Sequence, residues 1–479
     1  MRKLPRIIDR PPATLDKALH FLEKKYTLIG TAFVVALLLM LAAMLYVRPA
    51  LFPSSHGIFY AQLAEHPFQP TNPNAHRLLT PLVAYLVGLR GDRIIILNLL
   101  VALVLLAVVY YHTRREGYAP CLSLLTTTML ALTMPTLFTI YYGGYTDSTS
   151  YLLILLMLIC AGRPALFWLL FLLGLLNRES VVFLLPFFAL WHAYRLDSRP
   201  VFLRSLLAGT LSTCALYLLF RVLLESTPAT AHSGAFYFGP LLQDPLYWLR
   251  QVARAYPLGL FSAFKLFWAL PAAALFLAMR ERRYTLAALV LTPILCSAAQ
   301  SLIALDTSRM LAMSFPSLLV SIIPLREKLG DRRLAGLMIL ITLLNLALPQ
   351  IYVTSNEVTQ MRSSYSSPSG GSTPALTRQS TVFSVTVTTD NFLLNGKVVH
   401  MSRNPNTEPP QPGDPLPQPG EPEPPPITPG DPIVPDPSQP EPLPLPPDSQ
   451  PTPPAPVREP DAQPQPAGDP VTGEPTRLL

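Results

Sequence analysis

From Leu28 to Val353 the chain alternates between apolar blocks and short polar stretches, and this alternation is the main structural signal. The blocks are Leu28–Val47, Ile94–Tyr111, Pro120–Ile140, Tyr151–Ala161, Ala165–Leu176, Val181–Tyr194, Ser205–Leu224, Leu258–Met279, Tyr284–Leu305, Met310–Leu325 and Leu334–Val353. Repeated blocks of this kind predict an all-α polytopic membrane protein with about eleven crossings. Several blocks are shorter than a full span, which predicts a thinned or funnel-shaped region open to water on one side. One further stretch, Leu78–Leu89, is too short to cross and reads as a re-entrant or surface-lying helix.

Basic residues orient the blocks. Residues 1–25 carry Arg2, Lys3, Arg6, Arg10, Lys17, Lys24 and Lys25, and every second loop after them carries Lys or Arg. The positive-inside rule then places the N-terminus in the cytoplasm of a plasma (inner) membrane protein and the C-terminal tail outside. The long basic N-region and the length of the first block predict a retained span rather than a cleaved signal. Four regions follow: a cytoplasmic segment (1–25), a transmembrane catalytic-like domain (26–353), a Ser/Thr linker (354–403) and a tail (404–479). In the linker, alternation over Thr381–Met401 around Asn395-Gly396 predicts a small β-hairpin.

Composition changes the picture at the tail. The formal charge is +7 and the chain has 54 prolines. From Asn404 onward there are 29 prolines, twelve Asp/Glu and two Arg, so the tail carries −10 and the rest +17. Such a segment cannot bury a core and is expected to be a disordered, extended stalk with an envelope partner. The basic excess lies beside the spans, which argues against nucleic acid. Cys121, Cys160, Cys214 and Cys296 all fall in apolar blocks, so no disulfide framework is written here.

Candidate chemistry gathers on the expected outer side. The loop Pro53–Pro81 is about thirty residues long and holds His56, Tyr60, Glu65, His66, His76 and Arg77. Asp147 lies in the turn YYGGYTDSTS, Asn177, Arg178 and Glu179 in NRES, and Asp306 and Arg309 in DTSR. All lie at outer helix ends or in the loops joining them, where charges are costly and tend to mark function. Asp147 reads either as a helix cap or as a base or metal-binding carboxylate. Arg178 and Glu179, being adjacent, are expected to take separate partners. Arg77, Arg178 and Arg309 suit a lipid-linked phosphate through bidentate hydrogen bonds. Glu65, beside His66, is a second candidate base. The ten-residue spacing of His56, His66 and His76 matches no metal motif. Arg221 and Lys265, inside apolar blocks, either snorkel or form the buried end of the same site. A phosphate-cradling Gly-rich loop, GxSxG and HExxH are absent.

The stretches HGIFYAQLAEHPFQ…HRLLTP, YYGGYTD, NRES and DTSRMLAMSFP resemble those of bacterial multipass proteins grouped with the polytopic GT-C glycosyltransferases. The resemblance covers about residues 28–353 and excludes the tail. It implies transfer of a sugar from a polyprenyl-phosphate donor to an acceptor on the outer face, with inversion at the anomeric carbon. It further implies that Glu65 or Asp147 activates the acceptor hydroxyl while Arg178 and Arg309 hold the donor phosphate. A divalent metal at Asp147 or Asp306 is left open. The chain departs from the pattern at Ser55-His56, where such enzymes carry an acidic residue. Either another carboxylate takes the base role or transfer activity is lost. Two other classes remain: a lipid or solute transporter, and a membrane anchor presenting the tail.

Overall fold

The computed structural model describes residues 13–68, 72, 74–195, 199–225, 244, 247–301, 306–354 and 357–361. All of them fall in the first of the two units into which the chain divides, Met1–Phe392. The hairpin expected over Thr381–Met401 and the proline-rich tail lie outside the described residues.

Helices dominate. In chain order they are α1 (Ala13–Tyr46), α2 (Gly57–Glu65), α3 (Leu79–Leu86), α4 (Ile94–Arg115), α5 (Pro120–Ala131), α6 (Met134–Tyr141), α7 (Asp147–Ile159), α8 (Pro164–Asn177), α9 (Leu185–Arg195), α10 (Arg199–Glu225), α11 (Tyr247–Val252), α12 (Tyr256–Phe264), α13 (Ala269–Arg280), α14 (Tyr284–Ser301), α15 (Thr307–Ala312) and α16 (Phe315–Ala347). A two-stranded antiparallel hairpin follows, β1 (Ile351–Thr354) and β2 (Glu357–Gln360), in the register Ile351↔Gln360 to Thr354↔Glu357. Among the described residues five helical stretches are long and apolar enough to cross a membrane, or six if the bent pair α5–α6 is one span. Helices α7 and α8, with 13 and 14 residues, extend only about 20 Å, against a hydrocarbon core of about 30 Å.

Breaks in the helices explain where the apolar blocks and the observed elements differ. Helix α1 is interrupted at Thr27 (φ 68°), so Ala13–Tyr26 forms a helical piece of its own, and Asp16 docks it on the bundle with a carboxylate that accepts the Cys121 amide at 2.8 Å. The block Pro120–Ile140 bends by 48° just before Pro135, which has no amide hydrogen to continue the ladder. Helix α16 reverses at Gly330 (φ 72°, ψ 161°). Asp306, before α15, meets Tyr352, beyond α16, while Arg326 and Asp331, either side of Gly330, bind Gly117 and Ala119 at the other end. The chain therefore runs down and back. The block ending at Val353 stops being helical at Ala347, because Pro349 follows.

Two polar ends bound an apolar middle. At the basic end Glu23 receives Arg114 bidentately (2.6 and 2.7 Å) and Tyr110 at 3.0 Å. Asp331 accepts from Arg326 and the Ala119 amide, and Lys328 pairs with Glu281. At the other end, called the site end below, Lys265 is 2% exposed. It neither snorkels nor touches the candidate residues. Its ammonium donates to Tyr46 OH (3.0 Å), Asn345 O (2.9 Å) and Leu348 O (3.2 Å), tying the ends of α1 and α16 to the break between α12 and α13. All three of its protons are thereby placed. Between the ends, Tyr110, Phe138, Tyr151, Phe171, Phe187 and Phe315 are buried in one core. Leu37, Leu38, Leu41, Leu211, Leu219 and Val222 point outward, as lipid-facing positions do.

Replacing Lys265 with Met is expected to lower stability by about 3 kcal/mol, because three buried acceptors lose a charged donor. Denaturation in detergent checks this; an unchanged midpoint would show that the latch contributes nothing.

Candidate functional site

The site begins with a contact between backbones. Ala50 N donates to Ile140 O (2.8 Å) and Ser54 N to Gly143 O (3.2 Å), docking the first loop on the Gly143-Gly144 turn. A Cβ on Gly57 would fall 2.1 Å from Gly143 O, and Gly144 adopts φ +90°. Only glycine permits this approach and this φ. The contact fixes α2 above the start of α7, and with it Tyr60 and the loop that returns Arg77.

Three carboxylates and three arginines then interlock. Arg77 donates to both oxygens of Glu179 (Nη2 2.6 Å, Nε 3.1 Å) and to Tyr60 OH (2.9 Å). Arg178 pairs with Asp147 through Nη1. Arg309 pairs with Asp306 and lies 3.8 Å from the second oxygen of Asp147. Arg178 and Glu179 are adjacent yet take different partners. Residue 178 is extended (φ −163°, ψ 121°) where α8 ends and a 3₁₀ turn begins, so successive side chains point apart. Asn177 secures this corner by donating to Thr146 O (2.9 Å) and Ser150 Oγ (2.8 Å), while Thr80 donates to its oxygen at 2.5 Å.

Neither aspartate caps its helix through its side chain. Asp147 opens α7 and Asp306 precedes α15, so both sit near positive helix ends, but their carboxylates go to arginines. Asp306 also accepts Tyr352 OH (2.6 Å) and Thr354 Oγ (2.8 Å) from β1. The Arg309 guanidinium lies over the rings of Tyr145 (4.9 Å) and Phe138 (5.5 Å). Beside these pairs are buried donors without hydrogen-bond partners among the described residues: Arg309 Nε, His76 Nε2, Ser148 Oγ, Ser180 Oγ and Thr307 Oγ1. His76 is close to Glu179 (3.7 Å), beyond hydrogen-bond range.

Burial by itself would raise the Glu179 carboxyl, but the Arg77 charge outweighs it and holds it well below the usual range. Asp306 behaves likewise: against burial, Arg309 and the Tyr352 and Thr354 hydroxyls bring it down to about 2. Burial pushes His76 below the ordinary imidazole value despite Glu179, so it is neutral at neutral pH.

Of the residues singled out in the sequence, Tyr60, Arg77, Asp147, Arg178, Glu179, Asp306 and Arg309 come together, and His56 lies exposed at their margin with its ring 6.4 Å from that of Tyr145. Glu65 does not join them. It ends α2 on the exposed side, with its carboxylate over Gly91. A helix turns its residues through about 100° each, so five positions after Tyr60 the side chain faces elsewhere. No three His, Cys, Asp or Glu side chains among the described residues group as metal ligands; the oxygens of Asp147 and Asp306 are occupied by guanidinium and hydroxyl groups. Tyr352, Thr354, Thr80 and Tyr145 are site residues that their own chemistry did not announce. The alternation of QIYVTSNEVTQ around Ser-Asn is the signal that reveals the hairpin carrying the first two.

Asp306 binds its proton more weakly folded than unfolded, from the ordinary 3.8 to about 2, which corresponds to about 2 kcal/mol of stability. That stability is present above the unfolded value and is lost as pH falls through 3.8 towards 2. Melting temperature in detergent is therefore expected to fall as pH is lowered from about 4 to about 2. Asp306→Asn should shrink the fall and leave the part due to Glu179, and Tyr352→Phe should move it to higher pH. Identical pH profiles for all three proteins would refute this assignment.

The chain matches no protein-family model, no curated protein and no solved structure.

Proposed function

We propose that the protein is a multi-pass membrane glycosyltransferase of the GT-C type that moves a sugar from a polyprenyl-phosphate donor to an extracytoplasmic acceptor. One observation carries the reading. Arginines and carboxylates from separate chain segments converge at one end of an apolar bundle, beside buried donors that no group of the described residues satisfies. Unsatisfied buried donors are costly and suit an oxygen-rich ligand. The short helices α7 and α8 support a site recessed from the level of full-length spans, and exposed Val83, Leu86 and Val87 on and after α3 support an apolar approach for the lipid.

In this reading the donor phosphate takes over Arg178 and Arg309, which planar bidentate geometry favours. Asp147, released from those guanidiniums, regains basicity and accepts the proton of the acceptor hydroxyl. The hydroxyl oxygen bonds to the anomeric carbon, the bond from that carbon to the phosphate oxygen breaks, and the lipid phosphate departs on the two arginines. A single displacement inverts the anomeric centre. Asp306, held by Arg309, Tyr352 and Thr354, positions Arg309 rather than taking the proton. Glu65 has no part in the step.

We further propose eleven crossings of the plasma (inner) membrane, with the N-terminus in the cytoplasm and the site outside. Basic residues at the ends of α4, α9 and α13 and around Gly330 support that orientation. Strand β2 ends at the site end, so the proline-rich tail starts on the outer side, where it meets an envelope partner.

A second reading has its own support, since the carboxylates of Asp147, Glu179 and Asp306 are already paired within the protein, as in a structural ion-pair network. The two readings differ in turnover. In proteoliposomes offered labelled polyprenyl-phosphate sugars with envelope extract as acceptor, wild type is expected to release label. Arg309→Ala and Asp147→Asn should each reduce release by about 100-fold or more, while Glu65→Gln leaves it unchanged. No release from any donor by folded protein would leave only the structural reading. For orientation, a cysteine at Ser55 should react with an impermeant thiol reagent in intact cells and one at Glu116 only after lysis; the reverse pattern would overturn the assignment.

A further inference from the structure

A cavity of about 250 Å³ opens at the basic end, remote from Asp147 and its partners. It lies among α4, α5, α7, α9 and α16, and its polarity is graded. Val109, Leu155 and Val320 line the depth and are 1–2% exposed. The deep hydroxyls of Thr113 and Thr126 are turned to the carbonyls of their own helices, so the depth presents apolar surface. The rim carries Glu116, Arg195, Arg326 and Glu327. On α4 the step from Val109 to Glu116, and on α16 from Leu319 to Arg326, is two helical turns, about 10 Å along the axis. Tyr118, Trp191 and Tyr194 line it beside these charges, with Arg326 over the Tyr118 ring (4.3 Å) and Arg195 over that of Trp191 (5.1 Å). Apolar depth and a charged rim with aromatic rings beside it follow the polarity of one bilayer leaflet.

The rim charges identify the head group. Arg195 Nη2 lies 3.2 Å from Glu116, while Arg326 already donates to Asp331 and to Gly117 O and Glu327 already accepts from Arg283. A lone anion would meet carboxylates beside each arginine. An ammonium–phosphate pair matches both signs. Arg195 and Glu116 are 40% and 42% exposed and share this one hydrogen bond, so donors and an acceptor remain for a ligand. The volume lies just below the range of about 300–1,000 Å³ usual for small-molecule pockets, so it holds a single chain.

We propose that this cavity binds one zwitterionic phospholipid from the leaflet at the basic end. Its phosphate lies on Arg195, its ammonium faces Glu116, and the start of one acyl chain lies against Val109, Leu155 and Val320.

The test uses the full-length protein, delipidated in detergent and reloaded with equal amounts of phosphatidylethanolamine and phosphatidylglycerol. Native mass spectrometry is expected to find one retained phosphatidylethanolamine per chain. Arg195→Ala, which removes a rim charge, and Leu319→Trp, which fills the mouth, should each cut retention by about tenfold or more. Arg163→Ala, exposed and outside the cavity, should leave it unchanged. Equal retention of both lipids, or unchanged retention in a folded Arg195→Ala protein, would overturn the proposal even if Leu319→Trp fails to fold. Titration of glycerophosphoethanolamine separates a lipid from a free head group. Binding as tight as that of the lipid would show that the chain contributes nothing and would refute the lipid assignment.

Discussion

The Asp147 carboxylate lies between two guanidiniums, Arg178 on one oxygen and Arg309 near the other, and all three side chains are less than a tenth exposed. Charges so removed from water are held only where each has a partner, and removing one member of a buried pair typically costs about 3–5 kcal/mol because the other is left uncompensated. Asp147 opens α7, Arg178 ends α8 and Arg309 lies on α15. One carboxylate therefore sets where three helices meet, and the Glu179–Arg77 and Asp306–Arg309 pairs extend the same constraint to the first loop and to the hairpin.

The two ends of the bundle obey different physics. At the basic end Arg195–Glu116, Arg283–Glu327 and Lys328–Glu281 are largely solvent-exposed pairs, each worth little. Cohesion there comes from the buried Glu23–Arg114 contact and from apolar packing. At the site end Asp147, Arg178 and Arg309 are buried, and even the isolated Lys265 ammonium is satisfied by neutral acceptors alone. Polarity at this depth is retained against its desolvation cost, which is the pattern expected where a bundle keeps groups for a ligand rather than for stability.

The gathering of Asp147, Arg178, Glu179, Asp306 and Arg309 was legible in the sequence, because each stands at the end of an apolar block on the same side of an alternating chain. The divergence of Arg178 from Glu179 was legible too, from their adjacency alone. That Glu65 stands apart from the cluster was not legible, because without α2 its angle from Tyr60 could not be known. The break at Lys265 was hidden because hydrophobicity runs through it, whereas those at Thr27 and Gly330 fall at block boundaries, Leu28 opening the first block and Gly330 lying between Leu325 and Leu334. The hairpin at Ile351–Gln360 was absorbed into the last apolar block, since a short apolar run does not distinguish strand from helix. Tyr352 was lost with it.

That hairpin leans on one carboxylate. Strand β1 supplies Tyr352 and Thr354 to Asp306 and the Val353 amide to Ser308, and Met361 closes back on Gln350. Among the described residues, these are contacts by which the segment after α16 joins the site. A substitution that loosens Asp306 is therefore felt first by the strand that binds it, so the hairpin and the site stand or fall together.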